Sequence, residues 1–179
     1  MKTDLRRPTL RQYLSTGVAL ALALTGAACI VTTSSSGEPS GACTQIGCGG
    51  AFSVEFARNG AWPAGTYRVS VETDGATVDC TTTLPFSGCS EAPACTSTPG
   101  FILGLSGCAL PASEHKLSGI EFPQTTPSSP PARISVKVYA DETLLGEGAY
   151  TPTYTTSQPN GPDCGPTCTG APPVVLTLN

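Results

Sequence analysis

The chain has 179 residues, room for one domain with appendages but not for two full domains. Only 12% of the residues are charged, against 20 glycines and 17 prolines, which argues against long amphipathic helices and for short strands joined by many turns. From residue 30 onward five basic residues face twelve acidic ones, a net of −7, so no nucleic-acid partner is expected.

The chain opens on a basic stretch, Lys2 to Arg11, followed by the apolar run Val18-Ala-Leu-Ala-Leu-Ala-Leu24 and the small residues Thr25-Gly26-Ala27-Ala28 before Cys29. This is the order of a secretory signal, and the apolar run is far short of the ~20 residues a permanent membrane helix needs. Leu24-Thr-Gly-Ala-Ala-Cys29 resembles a bacterial lipobox, with Gly26 where that pattern has an aliphatic residue. The resemblance implies lipidation of Cys29, export to the cell envelope and a lipid anchor in the membrane. Ile30 after the cysteine points to the outer membrane by the same resemblance. Gly26 and Ala28 also suit ordinary signal peptidase cutting at the same bond, and the alternative is then a freely secreted protein. Arg6-Arg7-Pro8-Thr9-Leu10-Arg11 resembles the twin-arginine export pattern, with Thr9 in place of its phenylalanine.

Parity favours the lipid. Nine cysteines cannot all pair within one chain, whereas removing Cys29 leaves an even eight: Cys43, Cys48, Cys80, Cys89, Cys95, Cys108, Cys164 and Cys168. The expected organisation is a signal peptide over 1–28, a lipidated N-terminus and flexible Ser/Thr/Gly tether over 29–42, and a disulfide-rich β domain over 43–179. A metal site is not expected, because paired Cys-x-x-Cys knuckles are missing and His115 is the one histidine in the chain. Spacing leaves the pairing open: Cys43 and Cys48 flank one short loop and Cys164 and Cys168 another. The middle four either nest, as Cys80–Cys108 around Cys89–Cys95, or run in sequence, as Cys80–Cys89 and Cys95–Cys108. Cys164-Gly-Pro-Thr-Cys168 has one residue too many for a redox motif and reads as a staple.

Within the domain, alternation is clear over 51–56, 66–72 and 133–139, where Phe52, Val54, Phe56, then Tyr67, Val69, Val71, then Ile134, Val136, Val138 share one face. Fainter strands are expected over 76–84, 101–106, 117–122, 143–150 and 174–178, making seven or eight in all. Asp74-Gly75 between two strand patterns predicts a tight hairpin, since glycine adopts positive φ at little cost. One-sided alternation predicts sheets packed on one face, hence an all-β, disulfide-stapled antiparallel β-sandwich. Trp62-Pro-Ala-Gly-Thr-Tyr67-Arg-Val-Ser-Val71 resembles the Pro-x-Gly-x-Tyr-x-Val strand start of bacterial immunoglobulin-like and transthyretin-like sandwiches, which implies an immunoglobulin-like fold and carries no activity with it. Trp62 is expected to cap the core from a turn.

The candidate sites are few. His115 reads as a solvated loop residue among Ser113, Glu114 and Lys116. Paired carboxylates could lie among Glu55, Glu72, Asp74, Asp79 and Glu121, though scattered surface acids are the default in an acidic domain, and Asp74, Asp79 and Asp163 could ligate calcium, with no loop motif behind them. No enzymatic activity and no cofactor are expected. Tyr150-Thr-Pro-Thr-Tyr154 sets two aromatics on one side of an extended segment, a platform for stacking on a glycan or peptide. Two roles follow: a non-catalytic structural or interaction module of the envelope, with a protein or glycan partner, or a carbohydrate- or peptide-binding module built on Tyr150 and Tyr154.

Overall fold

The computed structural model describes residues 43–124 and 129–179. The expected signal segment 1–28, Cys29 and the tether 29–42 lie outside the described residues. Among the described residues eleven strands make up nearly all the regular structure: β1 (Phe52–Arg58), β2 (Gly65–Thr73), β3 (Ala76–Leu84), β4 (Ala94–Cys95), β5 (Ile102–Ser106), β6 (Lys116–Phe122), β7 (Ile134–Ala140), β8 (Thr143–Tyr150), β9 (Thr155–Ser157), β10 (Cys168–Gly170) and β11 (Val174–Leu178). They form a four-stranded sheet in the order β11-β1-β6-β5, a five-stranded sheet β4-β3-β2-β7-β8 and a ribbon β10-β9.

All eight segments with a period-two pattern are strands. The three additional ones correct the expected seven or eight, and each is too short to show a pattern. Besides their ladder bonds, β4 and β10 each carry a disulfide. Cys95 of β4 is bonded to its register partner Cys80 on β3, and Cys168 of β10 is bonded to Cys48.

Alternation also set the core. Val54, Tyr67, Val69, Val71, Val136 and Val138 are at most 1% exposed, and they join Leu103, Leu117, Ile120, Phe122, Leu176 and Leu178 in one apolar cluster fed by both large sheets. The Asp74-Gly75 turn forms as expected, with positive φ at both residues (48° and 91°) and Thr73 paired to Ala76. Trp62 covers the core edge from the β1–β2 connection, tilted against Tyr67 at 5.4 Å between ring centroids.

One pairing departs from an antiparallel arrangement. β11 runs parallel to β1, from Val54 opposite Val174 to Arg58 opposite Leu178. Parallel neighbours need a long connection to bring the chain round. The whole domain separates these two strands, and alternation along β11 marks a buried face without marking a direction. β8 makes room for this strand. A side chain at Gly146 would stand 2.8 Å from both Leu178 Cδ2 and the Thr177 carbonyl oxygen, so glycine here lets β11 close over the core.

The cysteines pair as Cys43–Cys164, Cys48–Cys168, Cys80–Cys95 and Cys89–Cys108. Neither arrangement expected of the middle four is realised, because β4 folds back onto the free edge of β3 and places Cys95 opposite Cys80. Cys89 is then left to reach Cys108, and the two bridges interleave.

Candidate functional site

The chain enters the fold at a clamp. Between Cys43 and Cys48 it forms no regular structure, yet both ends are bonded, Cys43 to the loop that leads into β10 and Cys48 to the first residue of β10. Asn160 fills the gap between the two bridges. Its Oδ1 accepts from the Thr44 hydroxyl at 2.6 Å and from the Ile46 N–H at 2.9 Å, and its Nδ2 donates to the carbonyls of Ile46 at 3.0 Å and Gly165 at 2.7 Å. A side-chain amide offers the same donor and acceptor as a peptide group, so Asn160 pairs with Ile46 as a strand residue would. Gln124 repeats the device nearby, donating to the Thr169 carbonyl at 2.6 Å and accepting from its N–H at 3.2 Å. Neither amide has a motif around it, and only the flanking cysteines hint at the role of Asn160.

His115 is not a solvated loop residue. It is 6% exposed, its ring stacks on Phe86 at 5.2 Å, and both nitrogens are engaged. Nδ1 accepts from the Phe86 N–H at 2.9 Å, which requires that Nδ1 carry no proton, so Nε2–H donates to the Leu110 carbonyl at 3.1 Å. The polar neighbours hide a signal that was present: His115 lies two residues before Leu117, on the inward face of an extended segment. An imidazole held at both nitrogens in the neutral tautomer locks the β3–β4 connection to the corner before β6.

Tyr150 and Tyr154 are half-buried and packed on the core cluster. Tyr150 sits opposite Ile134, on the inward side of β8, and tilts against Phe52 at 6.2 Å. Gly148 leaves space for its ring, since a side chain there would run into the Tyr150 hydroxyl. Tyr154 donates to the Pro131 carbonyl at 2.9 Å. The structure thus gives each ring its own protein partner. Tyr150 still borders a groove of about 700 Å³ together with Glu72, Arg133 and Thr151.

Burial raises the hydroxyls of Tyr67, Tyr150 and Tyr154 above the ordinary tyrosine value of 10.0. The Asp74 carboxylate adds to the rise at Tyr154, and the Arg58 guanidinium opposes it at Tyr67. The fold therefore holds these protons more tightly than the unfolded chain does. Stability should be flat up to about pH 10 and fall as the pH climbs through the raised values. Urea denaturation midpoints compared at about pH 9 and pH 11 check this, and equal midpoints would contradict it.

Of the five acids, Glu72 and Asp74 both border the groove beside Tyr150, and Glu55 and Glu121 share a second recess. That recess is a trough of about 500 Å³ on the outer face of the four-stranded sheet, floored by the register partners Gly104 and Gly119, with Lys116 on its wall. Asp79 instead pairs with Arg68 at 3.6 Å, and Asp74 accepts from the Arg133 N–H at 3.2 Å. Among the described residues no group of three or more His, Cys, Asp or Glu side chains is placed to hold a metal ion, so Asp74, Asp79 and Asp163 do not converge.

Four disulfides in one small domain point to an oxidising, extracytoplasmic compartment. No family model, no curated protein and no solved structure matches the chain.

Proposed function

We propose that the chain is a non-catalytic envelope lipoprotein: an immunoglobulin-like β-sandwich, held at the outer membrane by a lipid on Cys29 and acting as a structural or interaction module. The observation that carries this reading is the complete pairing of Cys43 through Cys168, which leaves Cys29 as the odd thiol behind a signal-like segment. The double clamp at Cys43 and Cys48 supports it, since a domain on a leash is pulled where the leash enters. The commitment of His115 and eight cysteines to structure supports a non-catalytic role. A glycan- or peptide-binding role on Tyr150 and Tyr154 has less support, because both rings are engaged by Phe52 and Pro131.

Cys29→Ala leaves every bridge intact and should move the protein from the membrane fraction to the soluble extracytoplasmic fraction. Wild-type protein released by detergent should carry the mass of the lipid. Membrane association unchanged by the substitution would defeat the anchor.

A further inference from the structure

Two of the five cations of this acidic domain face one recess. It has a volume of about 360 Å³ and lies between the β1–β2 connection and the corner before β6, walled by Arg58, Trp62, Ser113, Glu114, His115 and Lys116. Arg68 and Lys137 are occupied elsewhere, in ion pairs with Asp79 at 3.6 Å and Glu147 at 3.7 Å, and Arg133 is exposed at the start of β7.

Arg58 is the unusual member. Its Cζ stands 5.9 Å from the centroid of the Trp62 ring and its guanidinium lies beside the Tyr67 hydroxyl, yet Nε and Nη1 are both buried without a hydrogen-bond partner. Buried charged donors without an acceptor are costly, and each one asks for an explanation. His115 cannot supply the missing acceptor, since both its nitrogens are engaged. Two cations and one carboxylate leave the walls with a net charge of +1, which is the complement of a single carboxylate.

We propose that this recess binds a small organic monocarboxylate, with Arg58 and Lys116 as its counter-charges and the Trp62 ring as its apolar wall. Nε and Nη1 of Arg58 are closed off from solvent, so binding requires the guanidinium to shift toward the carboxylate oxygens, while Lys116 donates from the mouth and Glu114 disfavours a second negative charge. This site stands whether or not Cys29 carries a lipid.

Trp62 is the single tryptophan of the chain, so its fluorescence reports on this recess alone. Titration of the purified protein with lactate at constant ionic strength should give a saturable change in Trp62 emission. Lactamide, of the same shape without the charge, should give none, and the dicarboxylate malate should bind more weakly than lactate. Arg58→Gln should lower the affinity for lactate at least tenfold. Lys116→Gln, at an exposed position, should lower it several-fold with the fold intact by circular dichroism, and it decides the matter if Arg58→Gln does not fold. A response that never saturates, equal binding of lactamide, or wild-type affinity in Lys116→Gln would overturn the site.

Discussion

Removing Cys43–Cys164 and Cys48–Cys168 together should destabilise the domain by more than the two single removals combined. Each bridge spans about the same stretch, with sequence separations of 121 and 120. The first to form closes a loop of roughly 120 residues, which restricts the unfolded chain by ~5 kcal/mol. Once it is in place, the second closes only the short ring through 43–48 and 164–168, worth ~3 kcal/mol on the same scale. Either single removal to alanine therefore costs ~3 kcal/mol, because the partner bridge still holds the long loop. Loss of both costs ~8 kcal/mol, against a total stability of about 5–15 kcal/mol for a typical domain. The double variant should be largely unfolded at 25 °C while each single variant keeps a cooperative urea transition. A double variant no less stable than the sum of the singles would show that the long loop is not what the clamp closes.

His115→Ala should cost about 4 kcal/mol, a large effect for a residue in so polar a stretch. The change deletes a ring stacked on Phe86 and leaves the buried Phe86 N–H without an acceptor. Removing a buried aromatic typically costs 3–5 kcal/mol, and an orphaned buried donor about 1–3 kcal/mol, with partial relaxation absorbing some of the sum. His115→Phe separates the two contributions, since it keeps the ring and loses the acceptor; it should cost about 2 kcal/mol. Asparagine at this position restores an acceptor near the place of Nδ1, so His115→Asn should be more stable than His115→Ala. Chemical denaturation of the three variants measures this series. A cost below about 1 kcal/mol for His115→Ala would return His115 to the solvated loop that its neighbours suggest.

The strands were legible wherever alternation ran for five residues or more. Phe52 and Val54, Tyr67 to Val71 and Ile134 to Val138 announced their inward faces, and those faces are the core. Asp74-Gly75 announced its turn for an equally local reason, the backbone conformation glycine allows. The burial of His115 is hidden in the sequence for a chemical reason. Its polar type suggests exposure, although its phase relative to Leu117 places it inside. The loop sequence around Tyr150 suggests a surface aromatic, and only its register with Ile134 shows the inward side. Cys95 and Cys168 stand on strands of two and three residues, too short for any periodic signal. The recess of Arg58, Trp62 and Lys116 joins residues from two corners of the fold, and each of them alone is an ordinary surface or core residue.

Strand formation, the apolar faces and an even set of eight cysteines behind a signal-like segment follow from the residues alone, because composition, period and parity are local or countable. That β11 lies parallel to β1, which cysteine meets which, and that Asn160 and His115 hold distant segments together are outcomes of the folded packing. Those outcomes depend on which edges remain free once the two large sheets have closed on their core. A strand carries its buried face in its own residues but not its neighbour, and a cysteine carries its reactivity but not its partner. Both are settled by which segments the packed core brings within reach.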